Sequence, residues 1–182
     1  MELKRHFEKL INPLLIIFVA ATLRLIPHPP NFAPIAAMAL FGGSYLDRSY
    51  ALLIPIIALF LSDLIIGFYS PLVMISVYSS FILAGLIGLW LKKRKSPRTV
   101  VLAATASSVL FFLITNFAVW LGGWYPRSLA GLMESYTLAL PFFRNTILGD
   151  LFYTGVFFSG YELVLRFIKK PALASQGESL RS

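Results

Sequence analysis

Long apolar runs constrain the fold of this chain more than any other feature. Six runs approach the length of about 20 apolar residues that crosses about 30 Å of hydrocarbon. They lie at about 10–26, 32–46, 50–69, 71–91, 100–121 and 145–168. These runs are too continuous for strands of alternating polarity, so we predict an all-α membrane protein with one bundle of six transmembrane helices over residues 1–170. The second run is short and contains Pro34, which predicts a tilted or irregular segment.

The composition argues against other classes of protein. Hydrophobic residues make up 58% of the chain and charged residues 13%, whereas a soluble domain averages roughly half and a quarter. The chain has no cysteine, which excludes disulfide frameworks, cysteine zinc sites and thiolate nucleophiles. The two histidines, His6 and His28, lie outside the apolar runs on either side of a span. We therefore predict neither a metal site nor a cofactor.

The basic residues predict the orientation of the bundle. They cluster before the first run, after the fourth and after the sixth, whereas Arg24, Arg127 and Arg144 fall on the opposite side. The positive-inside rule then places both termini in the cytoplasm, with the first run kept as an uncleaved helix. The net charge of +8 is thus a topology signal rather than a surface for nucleic acid. The polar residues 171–182 are predicted to form a flexible cytoplasmic tail.

Polar side chains inside the apolar runs are the candidates for function. An ionisable residue within a span costs at least about 2.5 kcal/mol on insertion scales, so it needs a partner or a wet cavity. With the predicted orientation, Arg24, Asp63, Asn116 and Asp150 all fall in the outer third of the bilayer, on four different spans. We predict that these four residues form one site.

Two tryptophans extend this candidate site. Asn116, Trp120 and Trp124 follow i, i+4, i+8 spacing and share one helix face. Trp120 is predicted to line the pocket, whereas Trp124 fits a pocket or an interfacial aromatic belt equally well. The following segment 129–140 fits a short interfacial helix over the pocket mouth or a passive connection.

Simpler explanations exist for several of these residues. Arg24 could form a salt bridge with Asp63 or Asp150 that only pins helices together. Glu162 is expected to pair with Arg166 at i+4 near the cytoplasmic surface, outside the site. The proline-rich segment around His28 is expected to form a stiff outer turn, with a lid role as a further option.

Four segments carry a resemblance to a known group of proteins. They are the run Arg24–Gly43, Leu61-Ser-Asp-Leu, Thr115-Asn-Phe and Asn145-Thr-Ile-Leu-Gly-Asp-Leu. With its length and spans, the chain resembles an uncharacterised bacterial membrane family related to the substrate-binding S components of energy-coupling-factor (ECF) transporters. The resemblance implies capture of a vitamin-like molecule from outside, in a pocket closed by the loops between spans one and two and spans five and six. It also implies a membrane scaffold subunit and two ATPases as partners. Because the chain has no phosphate-binding Gly-Lys-Ser/Thr loop, any ATP hydrolysis would have to come from these partners.

The leading hypothesis is a solute-binding subunit of a transporter in the bacterial cytoplasmic (inner) membrane. Arg24 would contact an anionic group of the ligand, and Asp63 and Asp150 would contact amines or hydroxyls. Asn116 would supply amide contacts and Trp120 a stacking surface. Asn145, in the fourth matching segment, and Trp124 complete the predicted ligand-binding set.

Two other functions are compatible with the sequence. The chain could be a structural or assembly subunit whose ion pairs only register the helices. It could also be an intramembrane enzyme with Asp63 and Asp150 as a general acid/base pair.

Overall fold

The protein is helical throughout the part that the structure describes. The computed structural model describes residues 2–179, with side chains described over 13–166, and contains no strand in that range. Its six helices are α1 (Glu2–Leu23), α2 (Ile35–Tyr45), α3 (Leu53–Ile66), α4 (Pro71–Leu91), α5 (Pro97–Leu121) and α6 (Leu129–Ser179). The predicted all-α class is therefore confirmed. The flexible tail predicted over residues 171–182 lies outside the residues described with side chains.

Two of these helices, α4 and α5, are long and apolar enough to cross a membrane by length and composition. Among the described residues, the apolar part of α1 (Pro13–Leu23), α2 and α3 form shorter apolar helices. This finding is a weak indication of a membrane protein, because buried core helices of soluble proteins meet the same criteria. The bundle of six full-length spans is not confirmed.

Local sequence signals explain where α4 and α5 begin. Pro71 occupies the first turn of α4, where its missing N–H costs nothing. At the start of α5, the Ser96 hydroxyl accepts the backbone N–H of Thr99, and the Thr99 hydroxyl accepts the backbone N–H of Ser96. This reciprocal capping box satisfies two N–H groups that have no partner inside the helix.

Helix α2 lies at the centre of the fold and contacts each of the other five helices. All its residues from Ala37 to Ser44 are buried. Its 11 residues rise only about 16 Å, roughly half the thickness of a bilayer core. The second apolar run, predicted at about 32–46, is thus a short buried helix preceded by irregular chain rather than a full span.

Glycines let α2 approach α4 closely. A Cβ on Gly43 would lie 2.3 Å from the carbonyl oxygen of Gly85, and a Cβ on Gly88 would lie 2.5 Å from that of Leu40. The Ser44 hydroxyl donates to the Gly88 carbonyl at 3.1 Å across the same contact. The two backbones therefore pack directly against each other, the arrangement that small residues permit in tightly packed helix pairs.

Helix α6 extends beyond the predicted sixth span. It has 51 residues and passes through Pro141 without ending, so residues 129–140 are the first part of α6 and neither a separate short helix nor a passive connection. The reason lies in the packing on α5. The ring of Phe112 contacts Tyr136 before the proline and stacks on Phe143 after it, and the Tyr136 hydroxyl donates to the Leu113 carbonyl. These contacts hold both sides of Pro141 against one helix.

Candidate functional site

A cavity of about 470 Å³ lies where the chain enters α2. Its wall is formed by residues 24–36 together with parts of α3, α5 and α6. The polar side chains of the wall are Arg24, His28, Asn31, Thr146 and Asp150. The cavity volume falls within the range of roughly 300–1,000 Å³ that is typical of small-molecule sites.

Arg24 is fixed by a buried network at the C-terminal ends of α1 and α3. Its Nη2 lies 2.6 Å from Oδ1 of Asp63, whose side chain is fully buried, and its Nη1 donates to the hydroxyl of Ser62. The other carboxylate oxygen of Asp63 accepts the hydroxyl of Tyr78 on α4 at 2.8 Å. Because a buried carboxylate needs a counter-charge and hydrogen bonds, this network connects three helices and orients the guanidinium at the cavity wall.

Asp150 is held at the cavity wall by a neutral donor from another helix. Its Oδ2 accepts the hydroxyl of Ser108 on α5 at 2.6 Å. Ala36, in the first turn of α2, lines the same cavity, and Pro34 gives that turn no side-chain capping hydrogen bond. Asp150 therefore lies beside the N-terminus of α2, where the positive end of the helix dipole favours its charge.

One face of α6 holds the loop that leads into α2. The amide nitrogen of Asn145 donates to the carbonyl of Pro30 at 3.0 Å. One turn further on, a Cβ on Gly149 would lie 3.2 Å from Cα of Phe32, so the glycine permits close contact. Asn31, between these two contacts, adopts a left-handed conformation with φ of 61°. The loop between α1 and α2 thus packs against the part of α6 that contains Asn145 and Gly149.

Asn116 lines a second cavity of about 260 Å³ between α4, α5 and α6. Its amide nitrogen donates to the Phe112 carbonyl on its own helix at 2.8 Å. The two cavities adjoin, since Asn31, Phe111 and Thr146 line both.

The predicted common depth of the four polar residues does not hold for Asn116 and Asp150. Asp150 contacts Ser108, which lies eight residues from Asn116 along α5, a rise of about 12 Å. Asp150 therefore lies near the middle of α5 rather than near its C-terminal end, where Asn116 lies.

The two predicted tryptophans line none of the described cavities. The indole N–H of Trp120 donates to the Pro126 carbonyl at 3.0 Å, which closes the turn after α5. Trp124 is 64% exposed in that turn. His28, expected in a stiff turn, lines the larger cavity, and its Nδ1 donates to the Ile26 carbonyl at 2.6 Å.

Glu162 has other partners than the one predicted. Its Oε1 accepts the hydroxyl of Tyr45 at 2.7 Å and lies 3.5 Å from Nζ of Lys95, so the expected local pair with Arg166 is not the contact that holds it. Lys95 also lies over the ring of Tyr45 at 3.7 Å. This cluster lies at the opposite end of α2 from the large cavity.

Sequence reasoning missed the residues that hold the charged groups in place. Ser62, Tyr78 and Ser108 each contact a predicted site residue. All three are polar groups within apolar runs, which is the signal that could have identified them. Within the described residues, no group of three histidine, aspartate or glutamate side chains is placed to hold a metal ion.

Comparison with known proteins places most of the chain in one group. Residues 4–173 match a Family of unknown function (DUF6580). No characterised protein and no solved structure gives a significant match.

Proposed function

The chain belongs to this family of unknown function, and we propose that it is a membrane-embedded solute-binding protein that captures a small polar molecule from outside the cell. The observation that carries this proposal is the cavity of about 470 Å³ with Arg24 and Asp150 in its wall. Both charged groups are held by other residues, so neither must reorganise to receive a ligand. Such preorganisation lowers the cost of binding.

The distribution of polarity on α3 supports embedding in a bilayer. Its polar residues Ser62 and Asp63 are buried, whereas its neighbouring apolar residues Leu64 and Ile65 are 52% and 72% exposed. This pattern is the reverse of that on a helix at the surface of a soluble protein. Large exposed apolar surfaces mark contact with a membrane or a partner.

The orientation follows from the distribution of basic residues. Lys92, Lys93, Arg94 and Lys95 lie between α4 and α5, at the end of the fold opposite the large cavity. The positive-inside rule assigns this end to the cytoplasm, and both termini with it. The cavity then faces the outside of a bacterial cytoplasmic membrane, as the resemblance to S components implies.

The two charged groups favour a particular kind of ligand. Three interactions of the Arg24 guanidinium are directed towards Ser62, Asp63 and the Leu59 carbonyl, and a guanidinium has five donors in total. Donors therefore remain for an anionic group of the ligand. Asp150, across the wall, can accept from an amine or hydroxyl.

The short length of α2 supports the same function. In many transporters, helices that end near the bilayer midplane direct their N-termini at the binding site. Helix α2 is half-length and begins at the cavity wall, with Ala36 in its first turn. An ECF-type scaffold with ATPases is the partner set that the sequence resemblance implies for release of the ligand inside.

A structural subunit is the second candidate, because the charges of Arg24 and Asp63 compensate each other across two elements of the fold. An enzyme with Asp63 and Asp150 as an acid/base pair is less well supported. Asp150 lines the cavity, whereas Asp63 is fully buried and is not among the lining residues.

The deciding experiment is mass spectrometry of small molecules retained by the purified full chain, with a thermal-shift screen of vitamins, nucleobases and amino acids. A ligand at 100 times its dissociation constant stabilises the protein by about 2.7 kcal/mol. The double variant Arg24→Gln/Asp63→Asn removes both charges together and should lose the retained molecule. If the wild type retains nothing and no compound shifts its unfolding, the structural alternative is favoured.

A further inference from the structure

We propose that the captured molecule is a single-chain amphiphile, with its polar head in the large cavity and its apolar chain in a groove between α1 and α3. This inference rests on the proposed function, because it extends the same cavity. Such a ligand would enter partly from the outer leaflet of the membrane, whereas a freely water-soluble ligand would enter from water alone.

The groove runs along the lipid-facing side of the two helices. It has a volume of about 290 Å³, and its α1 wall extends from Leu14 through Phe18 to Leu25. Leu14 and Leu25 are 11 positions apart, which corresponds to a length of about 16 Å. Ile54, Ile57 and Ile65 form much of the opposite wall on α3.

The groove adjoins the cavity at the end near Leu25. Leu25 lines both spaces, and Ser62, which lines the groove, accepts a hydrogen bond from Arg24 in the cavity wall. The only hydroxyls of the groove lining, on Thr22 and Ser62, lie at this end. Polarity therefore falls from the cavity into the groove, as it does along an amphiphile.

The other adjoining space fits an apolar chain less well. The cavity of about 260 Å³ between α4, α5 and α6 contains Asn31, Thr115, Asn116 and Thr146. A methylene chain there would remove the amide groups of Asn31 and Asn116 from water, which carries a cost. The α1/α3 groove has no amide side chain in its lining, and its two hydroxyls, on Thr22 and Ser62, donate to carbonyls of their own helices. The smaller cavity remains available to the head.

The charges of the large cavity indicate the class of head group. Arg24 provides a cation and Asp150 an anion in the same wall. A zwitterionic head, with a phosphate or carboxylate near the first and an amine near the second, matches both. Phosphoethanolamine on one acyl chain is the simplest probe of this class.

The test uses the full chain in nonionic maltoside micelles and a dodecanoyl lysophosphatidylethanolamine with a terminal diazirine. After irradiation, labelled peptides are mapped by mass spectrometry. The inference predicts labelling concentrated on the groove residues of α1 and α3. Unlabelled lysophosphatidylethanolamine should compete with the probe, and free phosphoethanolamine should compete at least about tenfold more weakly, since it lacks the buried chain.

Two variants and one matched control separate the site from general lipid contact. Ala58→Phe fills the groove and should reduce labelling by several fold. Arg24→Gln/Asp63→Asn removes the head contact and should weaken binding by about tenfold or more, the loss expected for a charged hydrogen bond. Ala106→Phe adds the same side chain to an exposed alanine on α5 and should leave labelling unchanged.

Several outcomes would overturn the inference. Equal labelling of the exposed face of α5, unchanged by Ala58→Phe, would identify ordinary annular lipid. Competition by free phosphoethanolamine as strong as by the chain-bearing form would show that the chain has no site, while the proposed function stands. Groove labelling that is insensitive to the Arg24→Gln/Asp63→Asn variant would separate the groove from the cavity. Failure of the proposed function is recognised independently, from the absence of any retained or stabilising molecule.

Discussion

The carboxylate of Asp150 accepts the hydroxyl of Ser108 at 2.6 Å, so a buried side chain of α6 is held by α5 at the wall of the large cavity. Ala36, in the first turn of α2, lines the same cavity, and Pro34 offers this turn no side-chain hydrogen bond. The position of the carboxylate beside the N-terminus of α2 therefore depends on a residue 42 positions away in the sequence.

The first prediction concerns this hydrogen bond. Asp150→Ala removes the charged acceptor of the Ser108 hydroxyl, and we expect it to destabilise the protein by about 1–3 kcal/mol, the usual contribution of a hydrogen bond to a charged group. Asp150→Asn keeps an acceptor and should cost less. The measurement is the free energy of unfolding in mixed micelles. Equal losses in the two variants would contradict a role for this hydrogen bond.

The second prediction concerns the ion pair of Arg24 and Asp63. Arg24→Ala leaves the fully buried carboxylate without its counter-charge, and breaking a buried pair in this way costs about 3–5 kcal/mol. Adding Asp63→Asn to Arg24→Gln should recover part of the stability lost on Arg24→Gln alone. The control is Lys95→Ala, which breaks a partly exposed pair with Glu162 and should cost no more than about 1 kcal/mol. If Arg24→Ala and Arg24→Gln lose no more stability than Lys95→Ala, the result would argue against a buried ion pair.

Much of the helical architecture could be predicted from the apolar runs, because a long continuous run has few alternatives. The fourth run, predicted at 71–91, has the same bounds as α4. The second run was predicted as a span because apolar composition is the same in a full span and in a short helix buried on every side. Only the packing of Gly43 and Gly88 against neighbouring backbone shows which of the two is present.

The candidate site was predictable in its charges but not in its pairings. An arginine or aspartate in an apolar run is conspicuous, so Arg24, Asp63 and Asp150 could be selected from the sequence. Their partners Tyr78 and Ser108 lie 15 and 42 residues away from the groups they contact, and no local pattern encodes such contacts. Similarly, the sixth run was predicted to begin only at about residue 145. Helix α6 begins at Leu129 and continues through Pro141, because residues on both sides of the proline pack against α5.

The third prediction concerns the contact between α2 and α4. Gly88→Ala places a Cβ about 2.5 Å from the Leu40 carbonyl oxygen, so the helices must separate. Overpacking of this kind costs about 1–3 kcal/mol, measured as a shift in the unfolding midpoint. Gly155→Ala is the matched control, because nothing lies within 4 Å of the added carbon. It should be neutral or stabilising, since alanine favours a helix over glycine by about 1 kcal/mol.

The last prediction concerns the loop between α1 and α2. Asn145→Ala removes the hydrogen bond to the Pro30 carbonyl, which lies in the exposed part of the structure, so the free energy of unfolding should fall by no more than about 1 kcal/mol. The loop around Asn31, however, loses its attachment to α6 at the cavity wall. We expect faster amide hydrogen exchange over residues 24–36, with exchange in α4 unchanged, because local opening does not require global unfolding. Thr137→Ala, which removes a hydroxyl bonded only within α6, should leave exchange in the loop as in the wild type. If Asn145→Ala and Thr137→Ala give the same exchange over the loop, Asn145 does not hold it in place, and other contacts, such as that of Gly149 with Phe32, must do so.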